Sequence, residues 1–244
     1  MKTFIKHLWI QFKIDIRERG TLLTYYLVPL VFYFFMSAVF SSINPLARQT
    51  LAASMVIFAV TMGAVLGTPV SIVKLRETGV LRAYRVCGIP GWAVLFIHAV
   101  SAFLHLMIVS IIIFVTAPLF FGASYPQSFF AYFFVLFILL FSTIALGMLI
   151  GTTARNQSIA MMFSQAIFLP SVVLSGIMFP TPMLPVPLRM VGRLLTATYI
   201  MESFSGFAFG LPMDIHGTLS LLIAACIGVI AASLTIIRFR AVEG

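Results

Sequence analysis

The sequence reads as an all-α integral membrane protein: six transmembrane helices, an N-terminal amphipathic interfacial helix, and a re-entrant extracellular segment between spans five and six. Three observations carry this. The 244 residues are 61% hydrophobic and only 9% charged, whereas soluble domains run near a quarter charged. Apolar stretches recur at crossing length, roughly 20 residues each, so about six fit with their connections. No separate soluble domain does, which makes residues 1–244 a single transmembrane domain. Lastly, Lys and Arg crowd onto alternate loops.

Residues 1–20 come first. Ile5, Leu8, Trp9, Phe12 and Ile16 share one helical face, while Lys6, Lys13 and Arg17 lie on another. That spacing predicts a helix lying in the membrane surface, with Trp9 and Phe12 in the acyl boundary and Lys13 and Arg17 near headgroups. Gly20 ends it. The spans then read Leu22–Phe40, Leu51–Val73, Ala93–Ala117, Phe129–Gly151, Ser158–Phe179 and Leu219–Ile237. Each is bounded by charge or by Pro, Gly or Asn. Pro29, Pro69 and Pro170 fall inside spans and predict kinks rather than ends. Core helices of a soluble protein would need polar faces to cover them, and too few remain. The turn Thr152–Gln157 is tight enough to make spans four and five an antiparallel hairpin.

The outer loops are unequal. Ser41–Thr50 is short and Phe120–Ser128 carries no charge. Pro180–His216 is long, opens with Pro180, Pro182, Pro185 and Pro187, then turns apolar through Phe209 with Arg189, Arg193 and Glu202 embedded. A seventh span over Leu194–Phe209 would be about 16 residues with a carboxylate inside, short and costly for a crossing. Short helices dipping into the outer leaflet and returning fit better.

Charge sets the orientation. Six spans put twelve Lys and Arg on one side (Lys2, Lys6, Lys13, Arg17, Arg19, Lys74, Arg76, Arg82, Arg85, Arg155, Arg238, Arg240) and three on the other (Arg48, Arg189, Arg193). Cationic loops stay inside, so both termini are expected in the cytoplasm. The net charge of +9 then reports topology and anionic membrane lipid, and no nucleic-acid partner is expected. A long charged segment precedes the first span without a small-residue cleavage site, so it is not read as a removed signal peptide. Cys87 and Cys226 read as free thiols.

No catalytic residue and no metal site is predicted. Ser175–Gly176 lacks the glycines of a serine-nucleophile turn, and His7, His98, His105 and His216 have no metal-ligand spacing to Cys or carboxylate. His98 and His105 sit seven apart on one face of span three. Two readings of this polar pair stand: a proton-linked or substrate-contacting site, or neutral imidazoles bonding between helices. Gly63-x-x-x-Gly67 and Gly147-x-x-x-Gly151 allow close helix packing. A nucleotide-binding P-loop needs a Gly-Lys pair, and the chain has none. No cofactor is expected in this chain, and ATP, if it drives transport, is hydrolysed on another polypeptide.

The cytoplasmic loop 74–92 is a charged island. Val80, Leu81, Tyr84 and Cys87 cluster within roughly a third of a turn, at 100° per residue. Arg82 and Arg85 lie opposite, and Gly88 with Pro90 forms a stop. The segment predicts a short helix on which a soluble partner docks; a solvated positive loop is the plainer alternative.

With these residues in view, the chain resembles an ABC-2 type transporter permease, the membrane subunit of an ATP-binding-cassette exporter, over nearly its whole length. An amphipathic helix precedes span one. The island carries Arg76-Glu77-x-Gly79-x-Leu81 followed by Pro90. After span five come Leu174-Ser175-Gly176-Ile177-Met178-Phe179-Pro180, Leu184-Pro185 and Thr198-Tyr199-x-x-Glu202. The sequence departs from the family at Thr196, where proline is usual.

The resemblance implies a half-transporter in a bacterial cell membrane, paired with a second copy of itself or a similar permease. Two ABC ATPase subunits, carrying ATP and Mg, dock on its cytoplasmic side. It implies ATPase coupling through Arg76, Glu77, Gly79, Leu81, Arg82, Tyr84 and Arg85, with the N-terminal helix framing that contact. An outer gate is implied at Gly176, Phe179, Pro180, Tyr199 and Glu202. Substrate passes between the two permeases, along spans two and five. The few charges in the spans favour an amphipathic drug, peptide or lipid, with ion or polysaccharide export as the alternative cargo. The alternative function is a secondary carrier or channel that uses the His98/His105 face without an ATPase.

Overall fold

The computed structural model describes residues 2–43, 48–179, 181–212 and 215–243. Helix α1 (Lys2–Arg17) leads through Glu18 into α2 (Arg19–Ser42). Next come α3 (Leu51–Glu77), the short α4 (Val80–Val86), α5 (Gly91–Phe121), α6 (Phe129–Thr153) and α7 (Gln157–Leu174). Two short helices, α8 (Val186–Gly192) and α9 (Thr196–Ser203), precede α10 (Gly217–Glu243). Six of these (α2, α3, α5, α6, α7 and α10) are long and apolar enough to cross a membrane. The chain is an all-helical, multi-pass membrane protein.

Helix ends differ from the apolar limits where polar residues continue the backbone ladder. Lys74, Arg76 and Glu77 remain helical in α3, because hydropathy marks where lipid stops and not where hydrogen bonding stops. In α7 the difference has the other sign. The helix ends at Leu174, five residues before the expected Phe179, because Gly176 adopts φ +80°, a left-handed conformation that glycine takes at little cost. Pro29, Pro69 and Pro170 all lie within helices. Wider π-type turns at Leu23–Leu27 and Met62–Gly67 immediately precede the segments carrying Pro29 and Pro69. Such turns make room for carbonyls that a proline ring would otherwise strike.

α3 runs through the middle of the bundle. Its most apolar window is 72% buried, against 22% for α2 and 28% for the last span, and every residue of Leu51–Thr61 is buried. Lipid tails are as apolar as these side chains, so close packing must hold the helices together. Glycines provide it. A Cβ on Gly147 of α6 would strike the Ala64 carbonyl of α3, and one on Gly151 would stand 2.9 Å from Ile72 Cβ. Gly63 and Gly67 serve α2 and α5 instead, lying beneath Tyr25 and Leu106.

The chain from α9 through the wide turn Phe204–Ala208 is bedded among α3, α6, α7 and α10. It rises only about 20 Å at 1.5 Å per residue, short of a bilayer core of roughly 30 Å. It does not form a seventh crossing.

Candidate functional site

The site grows from α1. His7, Gln11, Asp15 and Glu18 recur every three or four residues and so form one stripe. This polar stripe turns toward the rest of the protein, together with Phe12 from the edge of the apolar one. Gln11 and Asp15 are buried, whereas Ile5, Trp9, Ile10 and Ile14 are each more than half exposed. Trp9 stacks on Phe12 with centroids 6.1 Å apart; Lys13 and Arg17 are exposed.

Asp15 is the centre of the stripe. Gln11 Nε2 donates to its Oδ1 at 2.8 Å and Ser101 Oγ of α5 to its Oδ2 at 2.5 Å. Nε2 of His105 stands 3.8 Å from Oδ2. The His105 ring is fully buried, with Phe12 stacked on it at 4.2 Å and 3° and its Nδ1 2.6 Å from the Tyr26 hydroxyl. Burial pushes the Asp15 carboxyl above its ordinary 3.8; the hydrogen bonds from Ser101 and Gln11 act against that rise. His98, one face along α5, is buried as well.

The stripe also reaches the charged island. His7 Nε2 lies 3.0 Å from the Tyr84 hydroxyl of α4. Glu18 pairs with Lys74 of α3 and accepts from Thr21 Oγ1 at 3.2 Å. Two residues further, Arg76 Nη1 donates to Thr152 O at 3.1 Å and its Nη2 to Ala154 O. Glu77 accepts from Gln157 Nε2 at 2.8 Å. The C-terminal end of α3 is thereby fastened to the α6–α7 turn.

Gly79 and Gly88, at φ +72° and +75°, bracket α4. Leu81 packs against the core and Tyr84 against His7, while Arg82 and Ala83 are exposed and Val86 is 84% exposed. The Arg85 side chain lies outside the described residues. Cys87 is exposed, because α4 stops at Val86 and the chain turns at Gly88. The helical wheel had grouped it with the apolar face.

On the opposite side, Gly176 turns the end of α7 toward α8, whose Gly192 packs against Leu174. Thr198 Oγ1 donates to Gly192 O at 2.6 Å and lies 3.1 Å from Ser175 Oγ. Tyr199 donates to Arg193 O at 2.7 Å, and buried Glu202 accepts from Ser220 Oγ of α10 at 3.1 Å. Phe179 is half exposed; Pro180 lies outside the described residues. Thr196 is the first residue of α9, after the extended Leu195. Proline is favoured at that position, and threonine starts the helix there equally.

The structure therefore brings the island and the N-terminal helix into one assembly and keeps the Gly176–Glu202 group apart from it. Sequence reasoning overlooked Asp15, Gln11, Glu18 and Ser101. The signal was present as a polar repeat opposite the apolar one in α1. The enclosure of Leu51–Thr61 also leaves α3 no free face there, whereas Met161, Met162, Phe163 and Leu169 of α7 are exposed.

A family model described as ABC-2 type transporter matches residues 4–209. That range takes in most of α1, the island and the segment after α7 through Phe209. The chain is also similar to proteins described as probable multidrug ABC transporter permease YbhS, from Escherichia coli strain K12 and from Escherichia coli O157:H7. Each is 26% identical over 174 residues, which is 70% of this chain and 46% of the relative. The chain spans about half the length of the curated relatives it matches.

Proposed function

The chain belongs to the ABC-2 type transporter family, and from that premise we propose that it is the permease subunit of an ATP-driven exporter. It moves an amphipathic substrate, a drug, peptide or lipid-like molecule, out of the cell. The multidrug description of its relatives and the scarcity of charge in the spans support that cargo. Both termini face the cytoplasm, as the distribution of Lys and Arg favours.

Energy arrives from a separate ATPase subunit docked on the exposed side of α4, at Arg82, Ala83 and Val86. Two such subunits, binding ATP and Mg, serve a pair of permeases, either two copies of this chain or this chain and a similar one. Closure of the ATPase pair on ATP pushes on α4. The observation that carries the reading is the clasp of Arg76 and Glu77 on the α6–α7 turn. Through it, a push on α4 reaches α3, α6 and α7 together, and access alternates from inside to outside. Substrate passes along the uncovered face of α7, and the Gly176–Glu202 group closes the outer end.

The test is co-purification. Tagged protein drawn from its native membranes brings an ATPase of separate sequence, and Arg82→Glu with Val86→Asp abolishes that association while insertion is unchanged. Recovery of transport-competent protein with no ATPase makes the chain a carrier instead.

A further inference from the structure

The cluster between α1 and α5 has one unfilled hydrogen-bond position. The Asp15 carboxylate holds Gln11 on one oxygen and Ser101 on the other. The His105 imidazole holds Tyr26 at Nδ1, while its Nε2 is buried without a partner and directed at Asp15 Oδ2, 3.8 Å away. A carboxylate and an imidazole 3.8 Å apart have one ligand that fits both.

We propose that Asp15 and His105 form a proton-binding site that fastens α1 to α5, framed by Gln11, Ser101 and Tyr26. A neutral imidazole carries its proton on one nitrogen only. One proton taken from water gives both nitrogens a hydrogen, so His105 donates to Tyr26 and to Asp15 together. The added charge cancels that of the carboxylate, and the 3.8 Å gap closes by about 1 Å to a charge-assisted hydrogen bond. Release returns the proton to water and reopens the gap. The Asp15 side chain is 13% exposed, which leaves the proton a way in.

The other ionisable groups facing the pair are few. Glu18 follows α1, Tyr25 and Tyr26 come from α2, and His98 lies along α5 toward His7. The cation beside them, Lys74, is engaged by Glu18. Within the site itself a proton is the available counter-charge. Because α1 also grips Tyr84 and Lys74, proton occupancy sets how firmly the support of α4 is held. The site stands independently of the exporter reading.

Amide hydrogen exchange on the full chain in lipid nanodiscs tests this, with a second readout from carboxyl 13C-labelled aspartate. The chain has two aspartates, Asp15 and Asp214, and loss of one signal in Asp15→Asn assigns them. After correction for intrinsic rates, residues 2–17 should exchange roughly tenfold more slowly at mildly acidic than at alkaline pH, the effect of one charge-assisted hydrogen bond. The Asp15 signal should move over the same pH range, and Asp15→Asn and His105→Gln should each abolish the dependence. Protection of α1 in the unaltered chain that ignores pH, or a dependence that survives both substitutions, overturns the proposal. If neither variant folds, the two readouts on the unaltered chain decide it: concerted movement supports the site, and a stationary Asp15 signal removes it.

Discussion

His7 Nε2 lies 3.0 Å from the hydroxyl of Tyr84, with the two rings 5.1 Å apart, so α1 holds the short helix α4. Tyr84→Phe keeps the ring packing and deletes the hydrogen bond, a loss of about 1 kcal/mol. The amides of residues 80–86 should exchange several-fold faster while the melting temperature of the whole protein stays put. Exchange mass spectrometry separates these two readings.

Gly147 and Gly20 make opposite predictions. The atom that a Cβ on Gly147 meets is a backbone carbonyl, Ala64 O, which cannot rotate aside. Gly147→Ala should therefore push α6 off α3 and cost about 1–3 kcal/mol, as overpacking does. Nothing lies within 4 Å of a Cβ on Gly20, and Gly20→Ala should be neutral or stabilising by up to about 1 kcal/mol. Thermal melting of the two variants in the same detergent gives the comparison.

Arg76 bridges two carbonyls, Thr152 O and Ala154 O, with two different nitrogens. A lysine ammonium is a point charge that cannot reproduce this fork. Arg76→Lys should lose about 1–3 kcal/mol and loosen residues 152–157 selectively. Faster exchange there, with α2 and α10 unchanged, is the expected pattern.

Asp15 gives stability a pH dependence of defined sign. Its native carboxyl binds protons more tightly than the ordinary value of 3.8 allows, so the folded state holds more proton than the unfolded one between 3.8 and the raised value. Its contribution to stability is then full below 3.8 and is lost as pH rises through the raised native value. Asp15→Asn should flatten this slope and equal or exceed the unaltered chain at neutral pH. Denaturant titrations at several acidic pH values measure it.

The spans were legible because a bilayer imposes a length and a composition that each helix must meet alone. The packing glycines were legible for a similar reason: four residues on one helix already define a face, and Gly147 and Gly151 do lie against α3. The end of α7 was not, since the apolar run continues past Ser175 and only the backbone at Gly176 records the turn. Nor was the partner of His105. Asp15 lies 90 residues earlier on a helix whose apolar stripe is the conspicuous one, and no local periodicity says which stripe a neighbour will cover. The spacing of His98 and His105 defines a face of α5; what sits across from His105 is a long-range fact.

The inward polar stripe of α1 also bears on the order of assembly. His7 and Asp15 leave the ribosome well before Tyr84 and Ser101, the groups that satisfy them. Until α5 has entered the bilayer, seating α1 against α2 alone would strand a carboxylate at the edge of the lipid. Helix α1 therefore settles only after α5, and its docking marks that α5 has arrived in register.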